Sequence, residues 1–320
     1  MAHETMTERP GGVSTEEGPP DGAKRRVIMN PVSGSGDHAP TVRQLAERHG
    51  YSVVETEAAG DGRELARVAA VDGVDVLAAC GGDGTVQEVV QGLVEADALT
   101  TVRFGVVPAG TANIFAGDIG IRSIKHAFDL LETGDVRDID IGFADDVPFI
   151  KSCIAGLTAD TSAATTSDMK ERFGPLAFVI TGVQQATNFE GLALDIDAIT
   201  DEGERTWSGE ALCVLVGNAR RFAKELGQAN VEDGLFEVTI IEQMPPGEAV
   251  AEAIAQQLLG RDTEHVTHLT AERLAIESRT GTVDFSLDGE IYSRDRLTLT
   301  VRPAALSVCV GPDYDPAPTA

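Results

Sequence analysis

The sequence predicts two domains: an α/β domain built on a parallel sheet, followed by a mostly antiparallel β-sandwich domain. Between residues 24 and 137, short apolar runs alternate with amphipathic helical stretches, the pattern of parallel strands covered on both faces. Near Arg137 the pattern changes to short β-type runs divided by turn residues. Several early apolar runs also end in glycine-rich turns, and sheets of this kind collect ligands at the carboxyl ends of their strands.

In chain order, residues 26–30 read as the first strand, followed by the turn 31–36 and a helix over 40–49 that opens at Pro40 and stops at Gly50. Residues 52–57 form a second strand, 62–71 a helix and 74–80 a third strand. Gly81-Gly82-Asp83-Gly84-Thr85 then leads into a helix that opens at Thr85 and runs to Val94, followed by a strand over 103–107 and a helix over 123–133. In the second half, 192–196, 211–216, 236–241, 273–277, 282–287, 297–301 and 306–310 read as strands, with helices over 168–187 and 247–259. The turns 30–36, 81–85 and 108–113 follow strand ends, so they are expected to converge. The expected organisation is an acidic tail over 1–23, an α/β domain over 24–137, a β domain over 138–311 and a short tail over 312–320.

With 320 residues, 42% of them hydrophobic, the chain can bury two ordinary cores. Its net charge of -27, with lysine confined to Lys24, Lys125, Lys151, Lys170 and Lys224, argues against nucleic acid as a partner. The acidity fits either an acidic interaction protein or adaptation to concentrated salt. Its even spread and the preference for arginine favour the halophilic reading, although a GC-rich genome also depletes lysine. Cys80, Cys153, Cys213 and Cys309 lie far apart in apolar runs with no CxxC pair, as expected of reduced, buried thiols in a cytoplasmic protein. In the strand-like stretch 264–269, His265 and His268 point to opposite faces, which disfavours a metal pair. Residues 1–23 lack an apolar run and read as neither a signal peptide nor a core element. No apolar stretch approaches the roughly 18 to 20 residues of a membrane span, so membrane contact is expected to be peripheral. Oligomeric state is open, with a homodimer among the options.

The 77–90 stretch carries the most chemistry. Its glycines let backbone approach an anion, and the helix that follows offers unpaired N–H groups and a positive dipole end. Asp83 would repel a phosphate unless a divalent cation or a hydroxyl proton lay between them, which points to catalysis as well as binding. Neither usual nucleotide signature is present: no GxxxxGK[ST] occurs, and Gly34-Ser35-Gly36 lacks the third glycine of a dinucleotide fingerprint.

Asn30-Pro31-Val32-Ser33-Gly34, Gly81-Gly82-Asp83-Gly84-Thr85 with Glu88, and Pro108-Ala109-Gly110-Thr111-Ala112-Asn113 occur in order. At these residues the sequence resembles the diacylglycerol kinase catalytic-domain family, which includes YegS-like and sphingosine kinases and is distantly related to NAD kinases and phosphofructokinases. The resemblance covers roughly residues 25–310. It implies an NAD-kinase/phosphofructokinase-like α/β domain for nucleotide, a β-sandwich lipid-acceptor domain, and an active site between them. It further implies ATP contacts at Asn30, Thr56, Gly81, Gly82, Asp83, Gly84, Thr85, Glu88 and Thr111, and Mg²⁺ held by Asp233 with the carbonyls of Asn230 and Leu235. Glu290, in Asp288-Gly289-Glu290, is the implied general base, and Asp140 an implied member of the same network beside the substrate. The implied activity is ATP- and Mg²⁺-dependent phosphorylation of a membrane lipid hydroxyl, on diacylglycerol or an ether-lipid analogue. NAD kinase and a non-catalytic nucleotide or lipid sensor are the alternatives.

Bland readings accompany several of these residues. Asp288-Gly289 and Asp233-Gly234 are also ordinary turn dipeptides, and Asp140 could simply brace the crossover between domains. The apolar stripe through Phe173, Leu176, Phe178 and Ile180 could face a core or a lipid entrance. The chain departs from the family pattern at Arg220-Arg221-Phe222-Ala223-Lys224, where a Gly-Gly pair is common, and at Lys151, where an asparagine is common. The basic loop could hold an anionic headgroup or neutralise local acidic residues.

Overall fold

Four parallel strands open the chain: β1 (Arg25–Met29), β2 (Ser52–Glu55), β3 (Val76–Gly81) and β4 (Arg103–Pro108). The computed structural model describes residues 22–156, 191–221, 227–243 and 265–318. The strands lie in the order β4-β3-β1-β2 and are packed by α1 (Ala39–Arg48), α2 (Asp61–Val71), α3 (Asp83–Glu95), α4 (Ile114–Asp118) and α5 (Ile124–Thr133). Every residue of β3 is buried, as its unbroken apolar run requires of a central parallel strand. α1 buries Ala39, Val42, Leu45 and Ala46 along one stripe and carries proline in its first turn. α5 begins where the Ser123 side chain accepts from the His126 N–H at 3.2 Å. Successive strands lie on opposite sides of β1, β2 at the edge and β3 inside, so the crevice at their carboxyl ends is a topological switch point.

The remaining strands are β5 (Asp135–Ala144), β6 (Val147–Phe149), β7 (Ser152–Ala155), β8 (Leu192–Thr200), β9 (Gly203–Gly217), β10 (Arg220–Arg221), β11 (Gly227–Gln228), β12 (Phe236–Glu242), β13 (Val266–Ala271), β14 (Arg273–Ser278), β15 (Val283–Leu287), β16 (Glu290–Arg294) and β17 (Arg296–Val310). Their pairings with one another are antiparallel. β17 pairs antiparallel with β14 and β5, then meets β4 in parallel at Val308↔Phe104, so one sheet runs through both halves. Two apolar clusters flank this junction. The first contains Leu77, Phe104, Phe128 and Leu306; the second contains Phe149, Phe236, Phe285 and Leu299. In the second, Phe149 and Phe236 stack with ring centroids 5.6 Å apart.

Several sequence expectations are corrected in detail. The runs expected as two strands over 297–301 and 306–310 form the single β17, whose register shifts between Arg302 and Leu306 around left-handed Ala304 (φ 48°). The helix expected to open at Thr85 opens two residues earlier, at Asp83, with Gly82 as its N-cap. The short α4 and the strands β5, β6, β7, β10, β11 and β16 were not foreseen, and β5 spans the position of the expected 137/138 division. His268 shares a 3.0 Å hydrogen bond with the Thr239 hydroxyl, while His265 precedes β13 with Glu242 3.7 Å away. All four cysteines are buried and free, and burial pushes the Cys80, Cys213 and Cys309 thiols up to about 12. The helices expected over 168–187 and 247–259, residues 1–21 of the tail expected over 1–23, Phe222 and Lys224 lie outside the described residues. Among the described residues, no helix is long and apolar enough to cross a membrane.

α2 and α3 pack closely at Gly92. A Cβ there would fall 2.1 Å from the Arg63 carbonyl oxygen and 2.7 Å from the Ala66 Cβ. Gly92→Ala is expected to destabilise the fold by about 1–3 kcal/mol, as overpacking against backbone does. Chemical denaturation checks this, and an unchanged midpoint would contradict it.

Candidate active site

Three turns meet at the switch point. After β1, the Asn30 side-chain oxygen accepts from the Val32 N–H at 3.2 Å, and the Asn30 carbonyl accepts from the His38 ring at 3.0 Å. At Gly34 (φ 58°) a Cβ would lie 2.6 Å from the Ala109 carbonyl, which presses the first turn against the one after β4. A Cβ at Gly110 would lie 2.3 Å from the Gly82 Cα, which presses that turn against the one after β3. Asn113 (φ 50°) closes its own turn by accepting from the Gly110 N–H and donating to the Gly110 carbonyl, both at 2.8 Å. The convergence expected of residues 30–36, 81–85 and 108–113 is therefore present. The first intrahelical bond of α3 runs from the Val86 N–H to the Gly82 carbonyl, so the N–H groups of Asp83, Gly84 and Thr85 precede the helical ladder.

Both carboxylates of this segment grip neighbouring backbone. Asp83 accepts from the N–H groups of Ile114 (3.1 Å) and Phe115 (3.0 Å), supplying to α4 the cap that Asn113 does not provide. Glu88 accepts from Gly60 (2.9 Å) and Gly62 (3.0 Å) at the start of α2, whose N-cap is the bare Gly60. Thr85 is buried with its side chain folded over Gly81. Thr56 is buried just beyond β2, its N–H bonded to the Met29 carbonyl at 2.9 Å, whereas Thr111 is exposed on its turn.

The second half contributes the turn between β15 and β16. Asp288 (φ 51°) accepts from the N–H groups of Ile150 (2.7 Å), Lys151 (2.8 Å) and Ser152 (2.9 Å). Desolvation pushes this carboxyl above its usual range, opposed by the Lys151 ammonium and the three backbone donors. Gln87 of α3 reaches the Leu287 carbonyl at 3.5 Å, bringing the turn onto the glycine segment. Glu290 begins β16, is exposed, and accepts from the Tyr292 hydroxyl at 3.0 Å, with Arg63 of α2 within electrostatic reach. Lys151 crosses the cleft, placing its ammonium 3.6 Å from Asp83.

Asp140 sits in β5 at 1% exposure, with its oxygens accepting from Ala304 (2.8 Å) and Gly234 (2.7 Å). Burial pushes it up to about 6, opposed by those two bonds. Asn218 adds a second tie by donating to the Asp140 carbonyl at 3.0 Å and the Ile150 carbonyl at 2.9 Å. Of its two readings, bracing accounts for both carboxylate oxygens. In the adjoining loop, Asp233 accepts from the Leu235 N–H and Asn230 from the Glu232 N–H, each at 3.0 Å. Among the described residues no group of three or more His, Cys, Asp or Glu side chains could hold a metal. The set of Asp233 with the Asn230 and Leu235 carbonyls contains one carboxylate and otherwise neutral hard oxygens, which fits a Mg²⁺ ion that keeps several waters.

Nothing in the sequence singles out Asp118, and Asp288 stands out there only as a turn residue. Asp118 ends α4, and its Oδ2 is sealed from solvent without a hydrogen-bond partner. Burial pushes its carboxyl up to about 6, opposed by Arg220 and Lys151 and reinforced by Asp83. Its burial is a tertiary property with no sequence signal, whereas Asp288 had one: an aspartate before glycine between two strand-like runs.

A carboxyl raised in the folded state adds stability that is fully present below its unfolded value and is lost as pH rises through the folded one. For Asp118 that window runs from the ordinary carboxyl value of 3.8 to about 6. Asp118→Asn is therefore expected to match the parent near pH 4 and to exceed its stability at pH 7 to 8, by on the order of 2 kcal/mol. Unfolding midpoints across pH check the sign, and a variant less stable at pH 8 would contradict it.

The model of the diacylglycerol kinase catalytic domain matches residues 24–144, and that of the YegS C-terminal NAD kinase beta sandwich-like domain matches residues 151–310. A diacylglycerol kinase of Bacillus subtilis (strain 168) is 30% identical over 279 residues, covering 83% of this chain and 89% of the relative. A diacylglycerol kinase of Staphylococcus aureus (strain bovine RF122 / ET3-1) is 31% identical over 278 residues, covering 83% and 86%. A crystal structure from Bacillus anthracis str. Sterne, provisionally assigned as a diacylglycerol kinase, superposes with a TM-score of 0.73 at 21% identity, covering 91% of this chain and 98% of that one. That likeness shows a shared fold. With both halves matched in order, the chain belongs to the diacylglycerol kinase catalytic-domain family of lipid kinases.

Proposed function

We propose that the chain transfers the γ-phosphoryl group of ATP to the hydroxyl of a membrane lipid, with diacylglycerol or an ether-lipid analogue as acceptor. The observation that carries this reading is the meeting of three glycine turns at the switch point, beneath a carboxylate-bearing turn from the second half. The N–H groups of Asp83, Gly84 and Thr85 would receive phosphate oxygens, with the Gly82–Gly110 contact fixing the turn that presents them. Asn30, Thr56 and Thr111 follow strand ends around the same crevice. Glu88 serves indirectly by holding α2 against α3.

In the reaction the lipid oxygen attacks the γ-phosphorus, its proton passes to the Glu290 carboxylate, and ADP leaves with the electrons of the cleaved P–O bond. Glu290 suits this role because it is exposed at the start of β16, beside the turn that meets α3, and keeps one oxygen outside the Tyr292 contact. Asp233 with the Asn230 and Leu235 carbonyls would hold Mg²⁺, which supplies positive charge against the phosphates. Asp140 ties that loop to β5 and β17. The α/β domain over 24–137 would carry nucleotide and the β domain over 138–311 the lipid. The protein would work at the cytoplasmic membrane surface by peripheral contact, consistent with its buried free thiols.

In high KCl with labelled ATP and Mg²⁺, product is expected with diacylglycerol or a glycerol ether and not with NAD. Glu290→Gln is expected to lower kcat by about 10²- to 10⁴-fold with little change in the KM for ATP. Product with NAD alone, or a Glu290→Gln enzyme of unchanged kcat, would contradict the reading.

A further inference from the structure

Lys151 occupies an unusual position. Its ammonium lies 3.6 Å from Asp83 of α3 and within electrostatic range of Asp118 at the end of α4 and Asp288 in the β15–β16 turn. Its backbone is held on both sides, with its N–H donated to Asp288 at 2.8 Å and its carbonyl accepting from the Asn218 N–H at 2.9 Å. Its side chain is 12% exposed in the cleft. The ammonium is held loosely: its 3.6 Å separation from Asp83 exceeds hydrogen-bond length, and both Asp83 oxygens already accept from α4. Asp83 therefore has its hydrogen bonds without Lys151, and the ammonium can move to another anion without orphaning a partner.

The phosphate cradle also has an electrostatic problem. A polyphosphate that enters at Gly81–Thr85 comes close to Asp83, and Asp118 lies within electrostatic range of that residue, in a chain with 52 acidic and 25 basic residues. Backbone N–H groups contribute only partial charges. Lys151 and Arg220, both from the second half, are the cations that act on Asp118, and among the described residues Lys151 is the cation that approaches Asp83.

We infer that Lys151 is a nucleotide-phosphate contact, its ammonium leaving Asp83 for the phosphate chain when nucleotide enters the glycine turns. This rests on the ATP-dependent reading above and adds to it a cation from the β domain that closes on the nucleotide. A lysine, whose flexible stem carries a compact charge, suits such an exchange between two anions. Binding would then exchange an ion pair across the cleft for a bond to substrate and keep the two halves of the chain engaged.

The test is calorimetric binding of adenosine and of a non-hydrolysable ATP analogue to the full chain in high KCl, for the parent, Lys151→Gln and Lys151→Arg. Loss of one charge-assisted hydrogen bond predicts that Lys151→Gln weakens the analogue about 10- to 100-fold and leaves adenosine unchanged. Lys151→Arg should recover most of the loss. Equal analogue affinity in the parent and Lys151→Gln overturns the inference, as does equal weakening of adenosine and analogue with a lower melting temperature, the mark of a purely structural tie. A parent that binds no analogue would instead sink the ATP-dependent reading, and this inference with it. A second measurement needs no variant. The chain has five lysines, so amine labelling read by mass spectrometry can follow Lys151 in the parent. The analogue should protect Lys151 and adenosine should not; unchanged labelling with bound analogue overturns the inference.

Discussion

The site depends on one repeated interaction: a carboxylate holding backbone N–H groups that belong to a different segment. Asp83 joins α3 to α4, and Glu88 joins α3 to α2. Asp288 joins the β15–β16 turn to residues 150–152, and Asp140 joins β5 to Gly234 and Ala304. Charge-assisted bonds of this kind are shorter and about twice as strong as neutral ones, and they fix direction as well as distance. They account for how helices with poor caps of their own begin at defined places: Gly60 offers α2 no side chain, and Asn113 is turned back onto Gly110.

This arrangement gives the aspartate of the glycine turn a structural duty. Its charge is committed to the first turn of α4, and the N–H groups at the start of α3 stay outside the helical ladder. Close contacts at Gly34 and Gly110 admit no side chain, so the three turns form one surface. The β-rich half then reaches that surface through Gln87–Leu287 and Lys151–Asp83. Because β17 bonds to both β14 and β4, the two halves meet through continuous sheet, a stiffer join than a linker.

Much of this was legible in the sequence. β3 and the turn after it were plain because an unbroken apolar run ending in paired glycines has few other structures open to it. The convergence of three turns followed from the parallel sheet rule. α4 was missed because five residues are too few to show helical periodicity, and its cap comes from 31 residues earlier. β5 was missed because Asp135, Arg137, Asp138 and Asp140 interrupt its apolar residues, and only its partners reveal why a strand tolerates them. The same holds for Glu88: its spacing marks it as part of the glycine segment, but only the fold reveals that it faces the start of α2.

Amide hydrogen exchange at Ile114 and Phe115 tests the bracing role of Asp83 most directly, comparing the parent with Asp83→Asn, which keeps the shape and removes the charge. The two N–H groups bond to different oxygens of Asp83, and asparagine replaces one of those oxygens with an NH₂ donor, so in the same geometry one N–H loses its acceptor. The account predicts faster exchange at Ile114 and Phe115, with α1 unchanged. Unaltered protection at both amides in a folded Asp83→Asn protein would contradict it.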